Sequence, residues 1–176
     1  MYKLNDELIV MKDALAYGSA LVANRAYAAG EIVARFDDAP MAEQSYLTVQ
    51  VGPGQHVELD VLSHLNHSCD PNTAIDTSAR TVTATRDIAS GEILNFFYPS
   101  TEWEMDRPFI CQCGAPDCIK IVAGARYLSP EVLSRSYVNL HIIRAINTCL
   151  QSPSLRRMSR VRGAESETPR SLACAA

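Results

Sequence analysis

The densest chemistry in the chain lies in Leu65-Asn66-His67-Ser68-Cys69-Asp70-Pro71-Asn72, where amide, imidazole, hydroxyl, thiol and carboxylate groups crowd into one short stretch. Such groups are costly to bury unless each finds a partner. The run therefore reads either as a site or as a solvated chain reversal built on Asp70-Pro71-Asn72. A second concentration follows at Cys111, Cys113 and Cys118, spaced C-x-C-x4-C. Three thiolates supply three corners of a tetrahedron, and structural zinc takes four ligands. Cys69 is the natural fourth donor, a choice that draws the two polar regions together in space. The competing reading packs these cysteines as small apolar residues. It fits poorly with Gln112, Gly114, Pro116 and Asp117 between them. Cys149 and Cys174 stand apart, and neither is expected to bind metal.

The elements that must position these groups are short. Leu8–Met11, Ala20–Ala23, Glu31–Phe36, Tyr46–Val51, Val57–Leu59, Thr81–Ala84 and Ile93–Phe97 are strand-length and rich in β-branched or aromatic residues. Gly18, Ala29-Gly30, Gly52-Pro53-Gly54, Asp70-Pro71-Asn72 and Ser90-Gly91 supply turn chemistry between them. Strands this short favour several small sheets over one large one. After Cys118 the pattern changes. Ser129-Pro130-Glu131 predicts a helix start, with an N-cap, a first-turn proline and an acid near the positive end of the dipole. Leu133, Tyr137, Leu140, Ile143, Ile146 and Leu150 then recur at helical spacing and are expected to face the core. Asn139 is where this stretch would break into two helices. From 152 onward Ser, Arg, Pro, Glu and Ala dominate without periodicity, which predicts a disordered tail over 152–176.

Composition sets outer bounds. The chain has 176 residues, 47% of them apolar, enough for one domain with its own core. The formal net charge of −4 argues against direct nucleic-acid binding by phosphate neutralisation and would attract a basic peptide. No apolar run approaches the roughly 20 residues of a membrane span, so no membrane association is expected. Lys3, Asp6 and Glu7 occupy the place of a signal peptide's apolar stretch. The expectation is an intracellular protein, cytoplasmic or nuclear, with clustered thiols that bind metal in preference to forming disulfides.

These motifs resemble the SET-domain family with its post-SET zinc segment. Asn66 to Asn72 matches the family's NHSCxPN signature. Gly91-Glu92-Ile93-Leu94 through Tyr98 resembles its GEELTFxY strand, and Cys111, Cys113 and Cys118 match its CxCxxxxC pattern. The segments Tyr98-Pro99-Ser100-Thr101-Glu102-Trp103 and Gln50-Val51-Gly52 resemble a compact branch of short SET proteins. The resemblance implies a mostly β fold with short helices. In it several small sheets surround a pseudoknot, to which a post-SET zinc segment and C-terminal helices are added. On this reading 8–110 is the SET domain, 111–128 the post-SET zinc segment and 129–151 a helical segment.

The resemblance also implies a function: methyl transfer from S-adenosylmethionine to a lysine side chain of a protein or peptide. The alternative is a repurposed SET scaffold that binds a partner or acts on a small metabolite. Tyr98 matches the family's catalytic tyrosine. Gly18, Ser19 and Ala20 match the donor loop, with Ala20 where the family has its second glycine; Asn66 and His67 match residues that hold the methyl donor. Tyr46, Phe96 and Tyr98 are implied for the substrate channel, where phenylalanine at position 96 favours a di- or trimethylated product. Cys69, Cys111, Cys113 and Cys118 are implied as ligands of one structural zinc ion. Trp103, Phe109 and Tyr127 are further residues that would line the donor pocket or channel mouth. The chain lacks a cysteine-rich segment ahead of the motifs, and the stretch between Phe36 and Gln55 is short. Target recognition is therefore left to loose contacts, a partner or a homodimer.

Overall fold

A computed structural model describes residues 2–3, 8–12 and 18–151. Five small sheets carry the fold. The first joins β1 (Tyr2–Lys3), β2 (Leu8–Lys12) and β3 (Ser19–Ala23), all antiparallel. A second places β10 (Thr81–Ala84) between β4 (Ile32–Arg35) and β9 (Thr73–Asp76). A third places β7 (Gln55–Glu58) between β5 (Met41–Ala42) and β6 (Thr48–Gly52). The remaining two are pairs: β8 (Asn66–His67) runs parallel to β11 (Asn95–Phe96), and β12 (Phe109–Ile110) is antiparallel to β13 (Ile121–Val122). The inward faces of the first three sheets meet in one apolar core that includes Leu21, Val57, Ile75, Val82 and Leu94, each fully buried. A smaller cluster of Phe97, Ala125, Leu133 and Ile142 ties the helical end to the cysteine-bearing segment, with Cys69 and Trp103 packed against it.

The parallel pair is the joint of the molecule. Two residues per strand close little hydrogen-bonded ladder, so side chains complete it. Asn72 is fully buried and saturated: Nδ2 donates to Glu92 Oε1 (3.0 Å) and the Ile93 carbonyl (2.9 Å), and Oδ1 accepts from the Asn95 N–H (2.9 Å). In return Asn95 Oδ1 accepts from the Asn72 N–H at 3.1 Å. The Asp70-Pro71-Asn72 turn thus closes the joint as well as reversing the chain.

The helical end departs from expectation. The helix start is as read: α1 (Pro130–Leu133) has Ser129 as its N-cap, the side chain accepting from the Val132 N–H, and α2 (Leu140–Gln151) begins after Asn139. However, Tyr137, Leu140, Ile143 and Leu150, expected in the core, are between 43% and 49% exposed. The break resets the helical phase, because Asn139 is spent on other contacts. It is fully buried, Nδ2 donating to the Ile75 and Ser100 carbonyls and Oδ1 accepting from the Thr77 N–H. The face of α2 that this anchor turns inward carries His141 and Ile142, with Ile146 partly buried behind them. The tail expectation for 152–176 lies outside the described residues. Among the described residues, no helix is long and apolar enough to cross a membrane.

Candidate functional site

The Sγ atoms of Cys69, Cys111, Cys113 and Cys118 all lie within 4.8 Å of one another, Cys69 to Cys111 at 3.9 Å. A tetrahedral zinc with Zn–S near 2.3 Å has sulfur–sulfur edges of about 3.8 Å, so the Cys69–Cys111 edge matches such an ion and the four positions together could hold it. Local geometry explains the convergence. Gly114 takes φ +77°, a conformation that lets the chain fold back between Cys113 and Cys118. The β12–β13 pair then closes the loop that holds them. Burial raises the Cys69 thiol pKa and pushes that of Cys111 up to about 11. At Cys113 burial also raises the pKa, but hydrogen bonds from the Ala115 and Cys69 backbone and from neighbouring thiols outweigh it and bring the value down to about 7. Four thiolates cannot coexist at neutral pH in such a cluster without a cation to compensate them.

Cys69 is also held from behind. Its Sγ receives the Ile119 N–H at 3.4 Å and lies 3.3 Å from His67 Nε2. His67 Nδ1 accepts from the Tyr98 N–H at 3.3 Å, which leaves the ring's own N–H on Nε2, aimed at the sulfur. The imidazole is 5% exposed, and burial lowers its pKa to about 4, so it is neutral. One ring therefore couples the thiol cluster to the backbone of Tyr98.

On the other side of that residue a cavity of about 610 Å³ opens, within the size range of small-molecule sites. Ser19, Tyr46, Asn66, Phe96 and Tyr98, all singled out from the sequence, lie on its wall together with Phe109. The Tyr98 hydroxyl donates to the Leu65 carbonyl at 2.9 Å, and its ring packs beside Phe96 with centroids 4.7 Å apart. Asn66 Nδ2 donates to the Ser19 carbonyl at 2.9 Å, which pins the start of β3 to the polar run. Among the described residues nothing donates to Asn66 Oδ1.

Other sequence-selected residues sit off the wall. Ala20 is fully buried in β3 and paired with Met11. Its φ is not positive, unlike that of Gly18 (φ +72°), so alanine meets no conformational barrier where the motif has glycine. Gly18 and His67 adjoin the cavity through neighbours that line it. Trp103 packs into the smaller core cluster, and Tyr127 is 41% exposed with its hydroxyl donating to the Glu104 carboxylate. Neither forms part of the wall.

Sequence reasoning missed two residues. Glu102 lines the cavity although it is only 7% exposed. Its Oε1 accepts from the Gln50 N–H (2.7 Å) and the Thr101 hydroxyl (3.2 Å). Burial raises its pKa to about 7 against the lowering effect of those two donors. The signal in the sequence was an acid four residues past Tyr98, with no Lys or Arg within four positions of it. Gly124 supports the same segment. It takes φ +117°, and a Cβ there would stand 2.4 Å from the Trp103 carbonyl oxygen. This close approach allows the Ala125 N–H to reach the Glu102 carbonyl at 2.8 Å.

Comparison with known proteins bears on the family and the fold. The model of the SET domain matches residues 18–99. "Methyltransferase flvH" of Aspergillus flavus is 38% identical over 141 residues, 78% of this chain and 79% of that protein. "Histone-lysine N-methyltransferase SET5" of Scheffersomyces stipitis is 45% identical over 65 residues, 29% of this chain and 14% of that protein. Among solved structures, the methyltransferase domain of human histone-lysine N-methyltransferase SETMAR superposes with a TM-score of 0.51 at 18% identity, covering 69% of this chain and 59% of that one. KRYPTONITE, solved in complex with mCHG DNA and SAH, gives 0.50 at 20% identity, covering 68% of this chain and 30% of that one. At such identities the structural likeness speaks for the fold alone. The flvH similarity, extending over most of both chains, settles the family: this chain belongs to the SET-domain methyltransferases.

Proposed function

We propose that the chain transfers a methyl group from S-adenosylmethionine to the side-chain nitrogen of a lysine in a protein or peptide. The observation that carries this reading is the shared wall: Tyr98, Asn66 and Ser19 border one cavity. Donor and acceptor can thus meet without crossing bulk water. When bound, S-adenosylmethionine supplies an electrophilic methyl on a sulfonium sulfur. The rest is done by this chain's residues. Gly18, Ser19, Ala20, Asn66 and His67 form the donor-holding set, Ser19 and Asn66 on the wall, Asn66 through its open Oδ1, and Gly18, Ala20 and His67 positioning them from behind. Tyr46, Phe96 and Tyr98 form the amine channel, in which the Phe96 ring strips water from the nitrogen and leaves room for successive methyl groups. In the transfer an N–C bond forms as the S–C bond breaks, and the amine must first be neutral. Alignment and desolvation account for the rate. Tyr98, its hydroxyl fixed on the Leu65 carbonyl, directs its oxygen lone pairs toward the positive charge that passes from sulfur to nitrogen. The four cysteines hold one structural zinc, which fixes the segment that carries Phe109.

A second reading, a small amine as acceptor, is favoured by one feature: the short Phe36–Gln55 span leaves Tyr46 at the cavity edge 63% exposed. That edge is too slight to read much peptide sequence.

The test is transfer of labelled methyl from S-adenosylmethionine to protein, peptide and small-amine pools. Tyr98→Phe should lower the rate by at least about 100-fold, while stability changes by no more than about 1.5 kcal/mol for one lost hydrogen bond. Transfer by the parent protein no faster than by Tyr98→Phe would overturn the assignment.

A further inference from the structure

We propose that Glu102 is the group that recognises the positive charge of the substrate amine as it enters the cavity. The proposal rests on the amine reading above and deepens it. Glu102 does two things in the fold: it accepts the Gln50 N–H and the Thr101 hydroxyl, both on Oε1. An uncharged glutamine would accept both equally well through its carbonyl oxygen. Nothing structural therefore requires an acid, and a buried acid without a cation is unfavourable. Among the described residues, Oε2 accepts no hydrogen bond and no Lys or Arg pairs with the carboxylate. Asp106, the other acid on the cavity wall, is 3.5 Å from Arg107 and more exposed.

The groups around Glu102 do not supply the missing charge. On the wall stand Tyr46, Tyr98, His64 and the Asp106–Arg107 pair. From the paired strand comes His56, opposite Gln50, and from α2 His141, whose Nε2 lies 2.8 Å from the Thr101 carbonyl. Burial lowers the pKa of both of these imidazoles, favouring their neutral forms. Arg126, one residue beyond the Ala125 contact, is engaged by Glu104 at 3.0 Å. None of them shifts the Glu102 carboxyl, whose ionisation is governed by burial and its two donors. A lysine or small alkylamine arrives as an ammonium, carrying both the charge and the N–H donors that Oε2 lacks.

The experiment uses the full chain without methyl donor and two probes of similar size, n-butylammonium chloride and 1-butanol, with binding followed by calorimetry or ligand-observed NMR. With the carboxyl ionising near pH 7, butylammonium should bind about tenfold tighter at pH 8 than at pH 6, and 1-butanol equally at both. Glu102→Gln should bind butylammonium at least about tenfold more weakly at pH 8, without pH dependence, and should bind S-adenosylmethionine as the parent does. Parental butylammonium affinity and pH slope in Glu102→Gln would overturn the proposal, as would failure of the parent to distinguish the two probes. If Glu102→Gln does not fold, the Glu102 carboxyl resonance of the parent decides. Butylammonium must lower its titration midpoint, and an unmoved midpoint refutes the role. Loss of donor binding in the parent would sink the methyl-transfer reading and leave the butylammonium result standing on its own.

Discussion

The thiol cluster and the cavity are separated by one imidazole, yet they treat polar atoms in opposite ways. At the cluster every group is turned toward another: four sulfurs converge, the Ile119 N–H and His67 Nε2 back up Cys69, and the Tyr98 N–H occupies the remaining ring nitrogen. At the cavity the polar atoms are half used. Asn66 donates but nothing among the described residues donates to its Oδ1, and Glu102 spends one carboxylate oxygen on the fold. The first arrangement makes a joint. The second leaves valences for something that arrives from outside, at a cost in stability that an apolar wall would not carry.

Removing a cluster ligand should break this contrast most severely. Cys113→Ser is expected to bind none of the zinc proposed for the parent, as read by metal analysis of both, and to cost at least about 4 kcal/mol. Hydrogen exchange should rise first across 109–128, because β12 and β13 pair over only two residues each. Full metal retention in Cys113→Ser would remove Cys113 from the ligand set, and a parent protein free of zinc would show that the convergence is packing alone.

The next effect comes from the support beneath Glu102. Gly124→Ala asks alanine to adopt φ +117° with its Cβ 2.4 Å from the Trp103 carbonyl oxygen. A loss of about 3 kcal/mol is expected in urea unfolding, from backbone strain and overpacking together. The cavity should be disturbed more than the thiol cluster, so zinc content should stay at one per chain.

The smallest effect sharpens the contrast because its sign is reversed. The Glu102 carboxyl ionises near its ordinary 4.5 in the unfolded chain and near 7 in the folded one, burial being the cause. Between those values the folded state holds the extra proton. The contribution of Glu102 to stability is therefore largest below about 4.5, falls as pH rises toward 7, and levels off above it. The shift bounds the loss on the order of 3 kcal/mol, and water in the cavity reduces it. Glu102→Gln should remove that slope and be at least as stable as the parent at pH 8, by urea midpoint. A variant less stable at pH 8 would mean that the charge serves the fold.

Much of the site was legible because its residues are adjacent in sequence. The Asn66–Asn72 run and the C-x-C-x4-C spacing are local patterns, and the ligand number of zinc was enough to select Cys69. The strands were legible for the same reason, since β-branched residues between turn formers announce themselves. Three two-residue strands were not: β8, β12 and β13 carry too few residues for periodicity and exist only because their partners meet, whereas β11 falls inside the predicted Ile93–Phe97 strand. The faces of α2 were misjudged because the phase is set by Asn139, whose side chain makes four hydrogen bonds to three residues far away in the chain, Ile75, Thr77 and Ser100.

The sequence by itself determined the family and singled out the four clustered thiols and the tyrosine that closes the Gly91–Tyr98 motif, because each is written in residues of fixed type at short spacing. Only the tertiary structure decided that Glu102 stands at the cavity with an oxygen to spare, that Ala20 suits its place, and that His67 links cluster to cavity. Burial and hydrogen-bond partnership are relations between segments far apart in the chain, and no local pattern carries them.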